Sequence, residues 1–142
     1  MSSKNILVVD GQGGGIGRQI IEGIRLRMPD ADVTAVGTNS IATSVMMKAG
    51  ANRAGTGENA VLVNCRTADI IIGPLGIVIA DSMMGEISPA MAAAIGQSAA
   101  TRLLLPMNMC HNVIVGTANV PIKALVTQTI DELCKLYVQT DE

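Results

Sequence analysis

The chain has 142 residues, enough for one domain with a substantial core. Ten Lys and Arg against twelve Asp and Glu give a net charge of -2 at pH 7, with no basic run. Phe and Trp are absent and the single aromatic is Tyr137, so the chain lacks both the charge and the stacking platform that nucleic acid requires as a partner.

Hydrophobic residues make up 49% of the chain. The core must therefore be built from Ile, Val, Leu, Ala and nine Met. No stretch reaches the roughly 18 to 20 uninterrupted apolar residues of a membrane helix. The apolar run near the N-terminus stops at Asp10, too soon for the core of a signal peptide. Cys65, Cys110 and Cys134 are too widely spaced for a zinc site or a disulfide framework. These features lead us to expect a soluble cytoplasmic protein with no metal site and three free thiols. Mean hydropathy of +0.41 is high for a small monomer and predicts a homo-oligomer, with residues 83–95 as the expected contact surface.

Ile6-Leu7-Val8-Val9 reads as a strand. Asp10-Gly11-Gln12-Gly13-Gly14-Gly15-Ile16-Gly17 follows, and then an apolar stripe at helical spacing, Ile16, Ile20, Ile24 and Met28. That order is strand, glycine turn, helix. Glycines let a phosphate approach the main chain, and the helix start offers free N–H groups and the positive end of a dipole. The dinucleotide fingerprint G-x-G-x-x-G is not met, because position 16 is Ile. Arg18 stands where a Walker A loop would have its lysine. Gly11, Gly15 and Gly17 do fit G-x-x-x-G-x-G, and this turn resembles the cofactor turn of the short-chain dehydrogenase/reductase family. That family's catalytic Tyr-x-x-x-Lys is absent, since Asp141 lies four residues after Tyr137, so its activity does not carry over.

The first helix is expected over about 15–28, ended by Pro29-Asp30. A second strand, Asp32-Val33-Thr34-Ala35-Val36, leads into Gly37-Thr38-Asn39-Ser40, which can cap the next helix. Gly50 stops that helix. Residues 51–57 read as a loop and 58–65 lean to helix. Asp69-Ile70-Ile71-Ile72 is a strand apolar on both faces, broken by Gly73-Pro74-Leu75-Gly76. Ser88-Pro89 starts another helix. Arg102-Leu103-Leu104-Leu105 and Val113-Ile114-Val115 read as two further strands, and a last helix begins near Pro121. Thr140-Asp141-Glu142 should fray.

This alternation predicts a three-layer, Rossmann-like α/β domain spanning 1–142, with about five mostly parallel strands and helices on both faces. In such sheets the ligand lies outside the carboxyl ends of the strands. Strand ends after Val9, Val36, Ile72, Leu105 and Val115 would form that rim.

Further runs carry a second resemblance: Gly50-Ala51-Asn52, Thr56-Gly57-Glu58-Asn59-Ala60, Asp69 through Pro74, Ser82-Met83-Met84-Gly85-Glu86, and Pro106, Asn108 and Cys110. With the glycine turn and Gly37-Thr38-Asn39 they make nearly the whole chain similar to a small bacterial family described as a domain of unknown function. That resemblance implies a cytoplasmic bacterial protein and no particular activity.

The candidate cofactor-binding set is Gly11, Gln12, Gly13, Gly14, Gly15, Ile16 and Gly17 at the turn, Gly37, Thr38 and Asn39 after the second strand, and Gly73, Pro74 and Gly76 across the rim. Dinucleotide folds place an acidic residue at the end of the second strand for the ribose hydroxyls. Here Gly37-Thr38-Asn39 has no carboxylate, and neutral donors there suit a 2′-phosphate, which favours NADP or another phosphorylated nucleotide over NAD. Catalytic candidates are Asp10 and Glu86, and the Cys110-His111 pair, where a thiolate could meet the chain's one imidazole. Neighbours within a strand point to opposite faces, which argues against that pair. The alternatives are a non-catalytic regulatory or structural subunit of a homo-oligomer, and an enzyme for a phosphosugar or CoA-type ligand.

Overall fold

A computed structural model describes residues 4–107 and 109–139. Asn108 and the expected fraying of Thr140-Asp141-Glu142 lie outside the described residues. The elements are β1 (Asn5–Asp10), α1 (Gly15–Arg27), β2 (Asp32–Gly37), α2 (Ser40–Ala49), β3 (Arg53–Thr56), α3 (Glu58–Cys65), β4 (Ile70–Pro74), a 3-10 turn (Leu75–Val78), α4 (Pro89–Gln97), β5 (Thr101–Leu105) and α5 (Ile122–Gln139).

The five strands form one parallel sheet in the order β3-β2-β1-β4-β5. Strand β1 is central, with Ile6 beside Val33 on one side and Ile70 on the other. Its alternate residues feed two cores, as the period of two requires. Ile6 and Val8 pack with Ile20, Ile21 and Ile24 of α1, Met46 of α2, and Val126, Ile130 and Leu133 of α5. Leu7 and Val9 pack with Val61 and Cys65 of α3, Ile77 of the 3-10 turn, and Met91 and Ile95 of α4. The sheet is therefore covered on both faces, and strands β1 and β4 are apolar on both sides.

The helix boundaries follow from their caps. Asn39 accepts the Ala42 N–H through its side chain at 2.9 Å and starts α2, and Gly50 at φ 123° ends it. Ser88 accepts the Met91 N–H at 3.2 Å and Pro89 opens α4. Gly23 lets α5 approach α1, since a Cβ there would lie 3.0 Å from Cγ1 of Ile130.

Three expectations are corrected. Residues 53–56, read as loop, form edge strand β3, which pairs with β2 from Thr34–Arg53 to Gly37–Thr56. Its burial pattern is almost wholly exposed, so no apolar run announces it. Conversely, Val113-Ile114-Val115 is not a strand: it lies in the irregular stretch 109–121, with Val113 84% and Val115 94% exposed. An apolar run makes a strand only where a neighbour completes its ladder, and β5 has no described partner beyond β4. Finally, most of the apolar side chains in 83–95 cannot form a contact surface. Met83, Ile87, Met91 and Ile95 are buried in the chain's own core, and Met84 alone among the large apolar side chains there is open, at 96%.

Candidate functional site

The strand order reverses direction beside β1: the chain moves outward through β2 and β3, then returns to place β4 on the other side of β1. The carboxyl ends of β1 and β4 at such a reversal leave the crevice where open α/β sheets bind ligands. The glycine turn lies there, at the end of β1.

The turn is built around Asp10. Its carboxylate is 2% exposed and accepts the Gly11 N–H at 2.8 Å and the Gly17 N–H at 2.7 Å. One side chain thus closes the turn and caps α1, favoured by the helix dipole. Burial pushes the Asp10 carboxyl above its ordinary value, the N–H groups of Gly17, Gly11 and Ile16 pull it back in part, and the nearby Glu86 charge raises it further. The Gly14 N–H returns to the Gly11 carbonyl at 2.9 Å, with Gly14 left-handed at φ 74°.

The glycines divide into two groups. Gly11 is closed over: a Cβ there would lie 2.6 Å from Thr38 Oγ1, 2.8 Å from Met83 Sδ and 3.1 Å from Glu86 Oε1. Gly14 backs onto Ala42 of α2 at 2.9 Å, and Gly17 onto Met46 Cγ, also at 2.9 Å. Gly13 and Gly15, by contrast, are exposed, and a Cβ on either would meet nothing within 4 Å. They form an open lip at the start of α1. Ile16 is half-buried against the core and Gln12 is exposed at φ 50°.

Glu86 comes to this place from the connection between β4 and α4. Its Oε1 accepts three hydrogen bonds: the Gln12 N–H at 2.8 Å, the Thr38 hydroxyl at 2.6 Å and the Asn39 side-chain amide at 2.7 Å. Burial would raise this carboxyl, but the bonds from Thr38, Gln12 and Asn39 outweigh it and hold the group below its ordinary value. The connection takes an unusual path to deliver it. Asp81, Met83 and Met84 are left-handed at φ 66°, 57° and 58°, as is Gly85 at 88°. Buried Met83 and Ile87 pin the segment to the core, and the Ser82 hydroxyl donates to the Gly76 carbonyl.

The other candidates are placed differently. Gly37 is buried, and its carbonyl takes the Gly57 N–H at 2.8 Å. Gly73 and Pro74 are buried in the sheet, where a Cβ on Gly73 would strike the Val9 carbonyl oxygen. The buried Gly76 donates its N–H to Met107 at 3.3 Å. All four are buried in the fold. Cys110 and His111 are exposed in stretch 109–121, both left-handed, and make no described contact with Asp10 or Glu86. Cys65 is a core thiol whose burial raises its pKa. Arg18 does not reach the turn; its guanidinium lies along α1 at 3.2 Å from Glu22. Among the described residues no group of three or more His, Cys, Asp or Glu could hold a metal ion, and no helix is long and apolar enough to cross a membrane. Pro106, Met109, Thr117 and Leu125 are among the residues that line an open pocket of about 380 Å³.

A parallel sheet in this order, with helices on both faces and a glycine turn after its first strand, defines a Rossmann-like α/β protein. Within that class, the family model described as "Domain of unknown function (DUF3842)" matches residues 5–138, and the chain belongs to this family. No curated protein has significant sequence similarity to it. Similar solved structures include a universal stress protein from Archaeoglobus fulgidus, 13% identical, with a TM-score of 0.41 over 73% of this chain and 98% of that one. Another is a dodecameric FMN-dependent UbiX-like decarboxylase from Escherichia coli O157:H7, 14% identical, with a TM-score of 0.45 over 92% of this chain and 94% of that one.

Proposed function

We propose that the chain is a single ligand-binding domain that holds a nucleotide, or another phosphorylated small molecule, on the rim at β1. The observation that carries this reading is the division of the glycine turn. Asp10 and the core use Gly11, Gly14 and Gly17, whereas Gly13 and Gly15 leave an open lip at a helix start. The Gly13 and Gly15 N–H groups take no protein acceptor among the described residues, and with the dipole of α1 they would hold a phosphate at this lip. Gln12, Thr38 and Asn39 then flank the ligand's sugar end, and NADP or FMN-like nucleotides are candidates of the right chemistry.

Binding without catalysis is the second reading, and it is favoured by Cys110 and His111, which share no hydrogen bond with Asp10 or Glu86 among the described residues. The high apolar content supports a homo-oligomer, and three free cysteines suit the reducing cytoplasm.

Thermal melting against NAD, NADP, FMN, ATP, CoA and sugar phosphates tests the reading. A ligand at 100 times its Kd adds about 2.7 kcal/mol to stability. A melting temperature unmoved by every member of that panel at millimolar concentration overturns it.

A further inference from the structure

Glu86 stands where dinucleotide folds carry the acidic residue of their second strand, yet it belongs to a different part of the chain. Thr38 and Asn39 follow β2 directly, and both donate to Glu86 Oε1 from positions 48 and 47 residues away. The Gln12 N–H, from the turn after β1, completes the set on the same oxygen. Oε2 takes no hydrogen bond among the described residues, and the side chain is only partly buried. One carboxylate oxygen is therefore fixed by three donors, and the other is left as an acceptor at the end of β2.

We propose that Glu86 is the specificity-determining residue of the rim, accepting a hydroxyl of an unphosphorylated ribose, so that the ligand class is a nucleotide with a free 2′-hydroxyl. The assignment rests on the nucleotide reading above and reverses the preference for a 2′-phosphate drawn from Gly37-Thr38-Asn39. The donors that would have held that phosphate are spent on Glu86. The charge balance agrees. Asp10 and Glu86 both stand at the turn, and the Arg18 guanidinium in the first turn of α1 is directed along the helix to Glu22. A dianionic 2′-phosphate placed directly on Glu86 Oε2 would meet like charge at contact distance. A ribose hydroxyl there gains a charge-assisted hydrogen bond. The distance from Glu86 to the lip is short enough for one nucleotide, since Gln12 touches Glu86 and Gly13 is the next residue.

Calorimetric titration of the full chain with two matched pairs, NAD with NADP and ATP with 2′-deoxyATP, tests the assignment. In each pair the member with the free 2′-hydroxyl should bind at least about tenfold tighter, the scale of one hydrogen bond to a charged group. In Glu86→Gln, whose Oε1 still accepts the three anchoring bonds, that preference should collapse to near unity with the fold retained. NADP binding as well as NAD, or 2′-deoxyATP as well as ATP, overturns the assignment and leaves the nucleotide site standing. Tighter nucleotide binding by Glu86→Gln overturns it as well, because Glu86 would then be competing for the ligand's place. Failure of all four nucleotides while a sugar phosphate binds defeats the ribose proposal alone. Failure of every phosphorylated probe defeats the site itself.

Discussion

Replacing Gly15 by Val separates folding from binding more cleanly than any other change at the turn. A Cβ at Gly15 meets no atom within 4 Å, and the residue sits at the first position of α1 without a left-handed φ. Helix propensity favours Val over Gly slightly, so the expected stability change lies within about 0.5 kcal/mol. Gly14→Val is the contrasting case. Its Cβ would lie 2.9 Å from the Ala42 backbone and its φ is 74°, so steric conflict and about 1–3 kcal/mol of backbone strain fall on the fold itself. For the ligand the order reverses. Two isopropyl methyls at Gly15 occupy the open lip and keep a phosphate from the N–H groups. Losing two hydrogen bonds to a charged group, each about 1.5–3 kcal/mol, weakens binding by roughly 100-fold or more. The assay is the same melting panel applied to wild type and variant, with Arg18→Ala alongside as a substitution expected to weaken binding only mildly. A folded Gly15→Val protein whose ligand shift matches wild type refutes the reasoning and moves the site off the turn.

Asp10→Asn should lower stability by about 1–3 kcal/mol, because its amide turns a donor toward either the Gly11 or the Gly17 N–H. At roughly 2–4 °C per kcal/mol for a chain of this size, an unchanged melting temperature at pH 7 would sink the capping role. The two rim carboxylates should act oppositely in acid. Glu86 is depressed on folding, so its contribution is present above the ordinary value of 4.5 and is lost as pH falls through the folded value. Asp10 is raised, so its contribution is present below 3.8 and is lost as pH rises through the folded value. Melting curves of Glu86→Gln should therefore lack part of the acid-side destabilisation seen in wild type, and superimposable pH profiles would contradict the bonding pattern. Thiol titration after non-reducing denaturation should count three free cysteines, and a count of one would reveal a disulfide. Light scattering at micromolar concentration should report a dimer or larger species, and a monomer would overturn the oligomer expectation.

What the amino-acid sequence announces here is whatever local chemistry decides. The β1 turn, the Asn39 and Ser88 caps and the Gly50 stop are each written in a few adjacent residues, and all are found in place. Strand β3 escaped because Arg53-Ala54-Gly55-Thr56 pairs through its backbone at an exposed edge, where no apolar pattern is needed. Val113-Ile114-Val115 misled for the converse reason: strand propensity was present and a partner strand was not. At the rim, Asp10 and the glycines could be read from spacing. The position of Glu86 could not, because it depends on three left-handed non-glycine residues carrying the connection back across β1 to Thr38. Such a path has no periodicity to detect. The sequence marked Glu86 as a candidate carboxylate and the run Ser82-Met83-Met84-Gly85-Glu86 as a family feature, without giving its path.

The placement of β4 beside β1, on the side away from β2, also bears on the order in which the molecule assembles. Residues 5–56 supply β1, β2 and β3 through short connections, so this half can pair early. The β1–β4 pairing joins Ile6 to Ile70 and must close a far longer loop first. Gln12, Thr38 and Asn39 belong to the early half and Glu86 to the late one. A partly folded chain would therefore display the glycine turn without its carboxylate. Selectivity at the rim would appear only on completion of the sheet, and a bound nucleotide would draw the two halves together.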